Sequence, residues 1–140
     1  MKRMSPRQLN YKVIEAELYN YHSNKEEFNR LRQQIFDESG NGDGIKVKGA
    51  ISNPTAKKVF ALSSAVLLEV ERRLKAIDYV LRLISKHEES GKAELVRMKY
   101  FERELTDQGI QMRLNISQST FTRWKREIIE LIAERLGYLV

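Results

Sequence analysis

The C-terminal stretch over residues 105–136 constrains the fold most, because its pattern predicts two short helices joined by a tight turn. Thr106 can cap the first helix and Ser117 the second, since hydroxyl oxygens accept hydrogen bonds from the unpaired N–H groups at a helix start. Asn115 stands at the turn, where a left-handed backbone is needed that asparagine tolerates better than other non-glycine residues. The apolar positions expected to lock the two helices to each other are Ile110, Leu114, Ile116, Phe121, Trp124 and Ile128. This arrangement is typical of a helix-turn-helix.

The outward face of the second predicted helix is polar and basic, and residues 109–126 contain no acidic side chain. Glutamine can pair with adenine, arginine can bind guanine through two hydrogen bonds, and serine or threonine can bind bases or phosphates. Arg113 and Lys125 are expected to bind phosphates, which gives affinity and salt dependence rather than sequence preference. The complete set of predicted contacts to double-stranded DNA is Ser117, Gln118, Ser119, Thr120, Thr122, Arg123 and Arg126 with Arg113 and Lys125. The alternative is a helical hairpin whose basic face is only solvated.

The composition excludes several classes of protein. At 140 residues with 41% hydrophobic content, the chain can form one compact domain or two small ones. No apolar run approaches the roughly 18 to 20 residues of a membrane-spanning helix, and the N-terminus lacks a signal peptide, so we expect a cytoplasmic protein without a membrane partner. The absence of cysteine excludes disulfide bonds and thiolate metal sites. The formal charge of +6 favours an acidic partner.

Catalytic and cofactor-binding patterns are absent from the sequence. The only histidines, His22 and His87, lie in polar segments without a paired nucleophile or carboxylate. Neither of the glycine-rich phosphate-binding patterns, GxGxxG or GxxxxGK followed by Ser or Thr, occurs. The glycine-rich segment 39–53 contains Asp43 but lacks the ligand spacing of a calcium loop. We therefore predict no enzyme activity, no cofactor and no metal site.

The first part of the chain predicts two helices separated by a polar break. Ser5 and Pro6 can start a helix that runs to about Tyr21, because serine caps the start and proline at the first helical position loses no hydrogen bond. Asn24, with a glutamate three residues later, can cap a second helix. One longer helix through His22 is the alternative.

The longest predicted helix starts at Asn53 and Pro54 and ends at about Ser85. Its spacing alternates between four and three positions, as in a helix that packs lengthwise on another helix. These positions are Ser63, Leu67, Val70, Leu74, Ile77, Leu81 and Ile84, and the stripe is widened by Val59, Leu62, Val66 and Val80. The packing partner is either residues 1–38 or a second subunit, since both would bury the same stripe. A shorter helix over residues 92–104 is expected to brace the C-terminal pair.

These patterns predict an all-α protein with two parts. Residues 1–90 form an N-terminal helical unit with a glycine-rich loop at 39–53, which we expect to serve oligomerisation or contact with a partner. Residues 91–140 form the predicted helix-turn-helix DNA-binding domain. The expected assembly is a homo-oligomer.

Two resemblances give this prediction a biological context. The segment ELVRMKYFERELT, followed by DQGIQMRLNISQSTFTRWKREIIELI, resembles the promoter-reading C-terminal region of sigma factors, except that Gln111 replaces a usual alanine and Asn115 a usual glycine. The whole chain is similar to small phage-encoded transcriptional regulators of the RinA and ArpU type. The further segments that carry this likeness are ELYNYHSNKEEFNRLRQQIF, ISNPTAKK and VERRLKAIDYVLRLI. The likeness implies activation of phage late genes at a promoter, on DNA in the host cell and together with host RNA polymerase.

Two other functions are compatible with the same patterns. A DNA-packaging recognition subunit of phage also joins a helix-turn-helix to helical oligomerisation segments. A helical protein-interaction module could use the stripe of the long helix, and its basic face would then be incidental.

Overall fold

The computed structural model describes Arg3 and residues 5–38, 54–86 and 91–138, with the backbone alone at residues 38 and 54–62. Every regular element in these residues is a helix, which confirms the predicted all-α class. The predicted loop at 39–53 lies outside the described residues. The elements are α1 (Pro6–Tyr19), α2 (Tyr21–Glu38), α3 (Pro54–Ser85), α4 (Lys92–Val96), a π-helical segment (Arg97–Glu102), α5 (Asp107–Leu114) and α6 (Gln118–Leu136).

The helices group into two compact units. The first unit comprises Met1–His22 and Lys75–Val140, and the second comprises Ser23–Leu74. The first unit thus takes residues from both sides of position 90, and the division of the chain into residues 1–90 and 91–140 stays a prediction.

The first helix begins as predicted but ends earlier. The Ser5 hydroxyl accepts a hydrogen bond from the Gln8 backbone N–H at 3.2 Å, and the Gln8 side chain accepts one from the Ser5 N–H at 3.0 Å. The break falls at Asn20 rather than at residues 22–24. The Asn20 side-chain amide donates to the Ala16 carbonyl at 2.9 Å, which is the kind of local bond by which asparagine competes with helix continuation. The next helix therefore begins at Tyr21.

The core of the first unit surrounds α6, which packs against α1, α4 and α5. On α1 the buried contributors are Ile14 and Leu18, both with 0% of their surface exposed. Each such side chain contributes about 1.5 to 3 kcal/mol on leaving water. The buried side chains of α6 are Phe121, Ile128, Ile129, Ile132, Ala133 and Leu136. Helix α6 therefore buries one side along its whole length.

The apolar stripe of α3 is buried only in part. Leu74, Ile77, Val80 and Ile84 are buried, as the sequence predicted. By contrast, Val66 is 61% exposed and Ser63 is also exposed, so the predicted stripe does not continue as a buried face through the preceding turns. Side chains at positions 59 and 62 lie outside the described residues. Pattern alone predicted a uniform stripe because it cannot distinguish residues that have a packing partner in the chain from those that do not.

The bracing helix changes its winding before it ends. The predicted helix over 92–104 starts at Lys92, becomes π-helical from Arg97 and ends at Glu102. Arg103 follows with a left-handed backbone, φ 58°, and its N–H donates to the Met98 carbonyl at 3.1 Å. A π-helix holds more residues per turn, which turns the following side chains relative to an α-helix.

The aromatic residues of this π-helical segment pack against the junction of α1 and α2. The Tyr100 ring lies 4.8 Å from that of Tyr19, and the Phe101 ring lies 5.4 Å from that of Tyr21 and 4.5 Å from that of His22. Edge-to-face and stacked pairs at these distances add about 0.5 to 1.5 kcal/mol each beyond the burial of apolar area. The segment therefore attaches the C-terminal helices to α1.

Gly91 meets two requirements at the start of α4. Its φ of +63° is unfavourable for residues with a side chain, and a Cβ built there would lie 2.9 Å from Cζ3 of Trp124. Trp124 is partly buried, with the edge of its indole ring against this glycine. The sequence predicted a core position for Trp124 but did not indicate its neighbour.

We expect Gly91→Ala to destabilise the protein by about 2 to 4 kcal/mol, because it adds a clash with a rigid indole ring to the cost of a left-handed alanine. Gly137→Ala is the matched control: φ is +76° there, but nothing lies within 4 Å of the added Cβ, so the loss should be about 1 to 2 kcal/mol. Denaturant unfolding followed by circular dichroism measures both. Equal losses would contradict the proposed contact with Trp124.

Candidate nucleic-acid interface

The turn between α5 and α6 has the predicted geometry. The Thr106 hydroxyl accepts a hydrogen bond from the Gly109 N–H at 3.1 Å and so caps α5. Asn115 ends that helix in the left-handed region, with φ 54° and ψ 49°. The Ile116 N–H then donates to the Gln111 carbonyl at 3.0 Å. Local side-chain chemistry therefore determines where the chain turns.

A cluster of hydroxyl groups fixes the start of α6. The Ser117 hydroxyl accepts a hydrogen bond from the Thr120 N–H at 3.1 Å and donates to the Thr120 hydroxyl at 3.0 Å. The Ser117 and Ser119 hydroxyl oxygens are also 3.0 Å apart, within hydrogen-bonding distance. Three of the predicted DNA contacts are therefore bonded to one another, and Thr120 is half-buried. Ser117 and Thr120 serve the helix start in this structure.

The predicted base-reading residues of α6, including Ser119, share an exposed face of the helix. Phe121 is 3% exposed and Ile128 is 1% exposed, so they anchor the opposite side of the helix. The outward face, which we call the polar arc, consists of Gln118, Ser119, Thr122, Arg123 and Arg126, all exposed. An arc of amide, hydroxyl and guanidinium groups on one helix face can donate to and accept from the edges of nucleic-acid bases.

Within the described part of the chain, the two arginines of the polar arc have only weak partners. Arg123 Nε is 3.9 Å from a Glu127 carboxylate oxygen, and Arg126 Nε is 3.8 Å from one of Glu130. Their side chains are 57% and 59% exposed. Exposed ion pairs of this kind contribute only about 0 to 1 kcal/mol. Both guanidinium groups can therefore exchange these contacts for an anionic or base-edge acceptor at little cost.

Acidic side chains mark the C-terminal limit of the polar arc. Lys92 Nζ lies 2.7 Å from a carboxylate oxygen of Glu127, and the hydrogen bond that Lys92 donates lowers the pKa of the Glu127 carboxyl. Glu130 lies one turn further along α6. Because carboxylates repel anions, Glu127 and Glu130 restrict the part of this face that suits an anionic partner to the residues before Glu127.

The two predicted phosphate contacts lie in different environments. Arg113 is exposed in the last turn of α5. Lys125 is only 22% exposed, and its Nζ lies 3.8 Å from a Glu15 carboxylate oxygen on α1. The structure therefore directs Lys125 toward α1 and away from the polar arc, and its contact with phosphate stays a prediction.

Two side-chain pairs that the sequence did not single out hold α1, the π-helical segment and α5 together. The Tyr100 hydroxyl donates to the Glu15 carboxylate at 2.8 Å, and burial, followed by the nearby Glu15 charge, raises the pKa of Tyr100 above its ordinary value. Lys99 Nζ bonds to Asp107 at 2.8 Å. Burial has the largest single effect on Lys99 and lowers its pKa, but the hydrogen bonds and charges of Asp107 and Tyr19 together outweigh burial and raise that pKa. Glu15 and Tyr100 are 85 residues apart, so no local spacing could reveal their pairing.

Comparison of the chain with protein-family models, with curated proteins and with solved structures finds no match. Among the described residues, no three histidine, aspartate or glutamate side chains come together as a metal site would require. None of the described helices is long and apolar enough to cross a membrane. Function is therefore inferred from the geometry and chemistry of the polar arc.

Alkaline titration should reveal the bond between Tyr100 and Glu15. Tyr100 keeps its proton longer in the folded protein than in the unfolded chain, where tyrosine ionises near pH 10. Burial likewise raises the pKa of Tyr11 to about 12. The stability that these groups contribute is present below about pH 10 and is lost as the pH rises above it.

We expect Tyr100→Phe to lower the free energy of unfolding at pH 7 by about 1 to 3 kcal/mol, because a hydrogen bond to a charged group is lost. The variant should also lose less additional stability than the wild type between pH 9 and pH 12. Melting temperatures measured across this range test both effects. Parallel pH profiles for the two proteins would contradict the assignment.

Proposed function

We propose that the protein is a sequence-specific regulator of transcription that binds double-stranded DNA by placing Ser117 to Arg126 in the major groove. The polar arc is the observation that carries this proposal, because it combines glutamine, hydroxyl and arginine side chains on one exposed face without a carboxylate. The major groove, about 12 Å wide, admits a single α-helix and presents hydrogen-bonding groups that differ for each base pair.

Preorganisation of α6 supports this role. Ser117 caps the helix start, and Phe121 and Ile128 hold the opposite face in the core. The polar arc thus needs no folding step when it meets DNA, which reduces the entropy cost of binding. In this arrangement α5 crosses the DNA backbone, and the exposed Arg113 binds a phosphate.

Within the arc, different side chains have different proposed tasks. Gln118 reads adenine, Arg123 and Arg126 bind guanine or flanking phosphates, and Ser119 and Thr122 bind bases or phosphates, in keeping with their hydrogen-bonding groups. The acidic Glu127 and Glu130 confine the contact to the helix start. Specific complexes of this type have dissociation constants of about 10⁻⁸ to 10⁻¹¹ M.

The resemblance to regulators of the RinA and ArpU type extends the proposal to a biological role. The protein would act as a homo-oligomer on DNA in the host cytoplasm, where it would activate phage late genes by binding near a promoter and engaging host RNA polymerase. Genomic footprinting separates this role from its rivals. Enrichment of promoters supports it, enrichment of a packaging site supports a packaging subunit, and no enrichment supports a protein-interaction module.

Replacement of Arg123 should relax sequence preference. For a duplex selected from a random library by the full-length protein, we expect Arg123→Ala to lose about 1 to 3 kcal/mol of discrimination at one base pair. Arg30→Ala is the matched control, since Arg30 is an exposed arginine of α2 that is paired with Glu27. Mobility-shift titrations with the selected and single-substituted duplexes measure the effect. Equal affinity of the wild type for selected and scrambled duplexes would refute the proposed function.

Replacement of the two predicted phosphate contacts should affect salt dependence unequally. We expect Arg113→Ala to reduce the slope of log affinity against log salt concentration by about one, uniformly across sequences. Lys125→Ala should reduce it less, because Lys125 is largely buried and close to Glu15. Binding isotherms at several salt concentrations provide the slopes. A larger effect at Lys125 would contradict the orientation of that side chain.

A further inference from the structure

Met112 is the most exposed of the large apolar side chains among the described residues. It lies near the end of α5 with 82% of its surface accessible, more than Leu68 at 66% or Val66 at 61%. A single exposed apolar residue is common on protein surfaces and by itself needs no explanation. The position of Met112 distinguishes it, because it lines a concave surface beside the start of α6.

This concave surface, which we call the elbow groove, is uncharged. Its volume is about 620 Å³. The residues that line it are four with side-chain amides, two apolar residues and one serine, namely Gln108, Gln111, Asn115 and Gln118, Met112 and Ile116, and Ser117. Side-chain amides donate and accept hydrogen bonds but carry no charge. The groove therefore lacks the lysine or arginine that a phosphate-binding surface uses, although Arg113 follows Met112 directly in the sequence.

Base edges match this combination of groups better than the sugar–phosphate backbone does. The thymine C5-methyl is the apolar group that an unmodified base pair presents in the major groove. The adenine of the same pair offers an N7 acceptor and an N6 donor, and one glutamine amide can form hydrogen bonds with both. Methionine suits such a contact because its unbranched thioether is polarisable and adapts to the shape of its partner. Gln118 also belongs to the polar arc, so the elbow groove adjoins the base-reading face.

We propose that the elbow groove reads an A·T base pair, with the thymine methyl against Met112 and the adenine bound by Gln118. This inference rests on the proposed function and adds to it a defined base pair and a reading residue on α5. Helix α5 then contributes to sequence selection as well as to positioning on the phosphates. The exposed surface of Met112 becomes covered only in the complex.

The test uses the full-length protein and a duplex that it selects from a random library. Each thymine of the selected site is replaced singly by deoxyuridine, which removes the methyl and leaves the hydrogen-bonding groups in place. We expect one replacement to weaken wild-type binding about fourfold, the effect of burying one methyl-sized group. Met112→Ala should weaken binding to the thymine duplex by a similar factor and bind the deoxyuridine and thymine duplexes equally.

Leu68→Ala is the matched control, since it truncates another exposed apolar side chain and should keep the fourfold difference. Melting temperatures verify that the variants are folded. We expect both to fold, because Met112 and Leu68 are exposed and contribute little to the core. If the wild type binds selectively but no deoxyuridine replacement weakens it, or if Met112→Ala retains the full difference, the groove does not read a methyl and only this inference is overturned. If the wild type does not bind DNA selectively, the proposed function is overturned with it.

Discussion

The burial of one side of α6 is the interaction on which the rest of the first compact unit depends. Phe121, Ile128, Ile129 and Ile132 are each at most 3% exposed. Burial of four such side chains contributes several kcal/mol, far more than the exposed ion pairs of the same helix. Because the helix cannot rotate about its axis without exposing them, its opposite side has a fixed orientation. The polar arc is a consequence of this packing.

Electrostatic contacts refine the position that apolar packing sets. Glu15 receives the Tyr100 hydroxyl and lies near Lys125, so a residue of α1 faces both the π-helical segment and α6. Lys99 connects the same segment to Asp107 at the start of α5. Both helices of the proposed DNA-binding surface thus contact α1 or the π-helical segment, which are themselves joined by the bond between Glu15 and Tyr100. A change in these contacts can alter the orientation of α5 and α6 without removing any residue of the proposed DNA-binding surface.

The features that sequence analysis predicted correctly are those determined over a few residues. Thr106, Asn115 and Ser117 act within three or four positions of themselves, so their capping and turn roles can be read from side-chain chemistry alone. The start of α3 at Pro54 and the left-handed end of α6 at Gly137 follow from the same local preferences. The all-α class follows from the spacing of apolar residues.

The features that the sequence could not provide depend on contacts between distant residues. The pairing of Glu15 with Tyr100 has no local signal, and neither has the change to π-helical winding at Arg97. The contacts of Tyr21 and His22 with Phe101 likewise join residues about 80 positions apart, so they have no local signal. The sequence did not predict the exposure of Val66, because the apolar spacing of a helix is the same whether or not another helix packs against it. For the candidate site, periodicity predicted the exposed face of α6. The orientation of Lys125 could not be predicted in this way, because it depends on where α1 lies in the fold.

The contact between Gly91 and Trp124 also gives the protein an internal optical reporter. Trp124 is the single tryptophan of the chain, so its emission comes from one known place. Its indole ring touches the start of α4 and belongs to the residue immediately after Arg123. The emission wavelength therefore responds to any loosening of α4 from α6, and quenching by dissolved iodide would report how far the ring becomes accessible. Folding and the integrity of the proposed DNA-binding surface can be followed at one wavelength in the unlabelled protein.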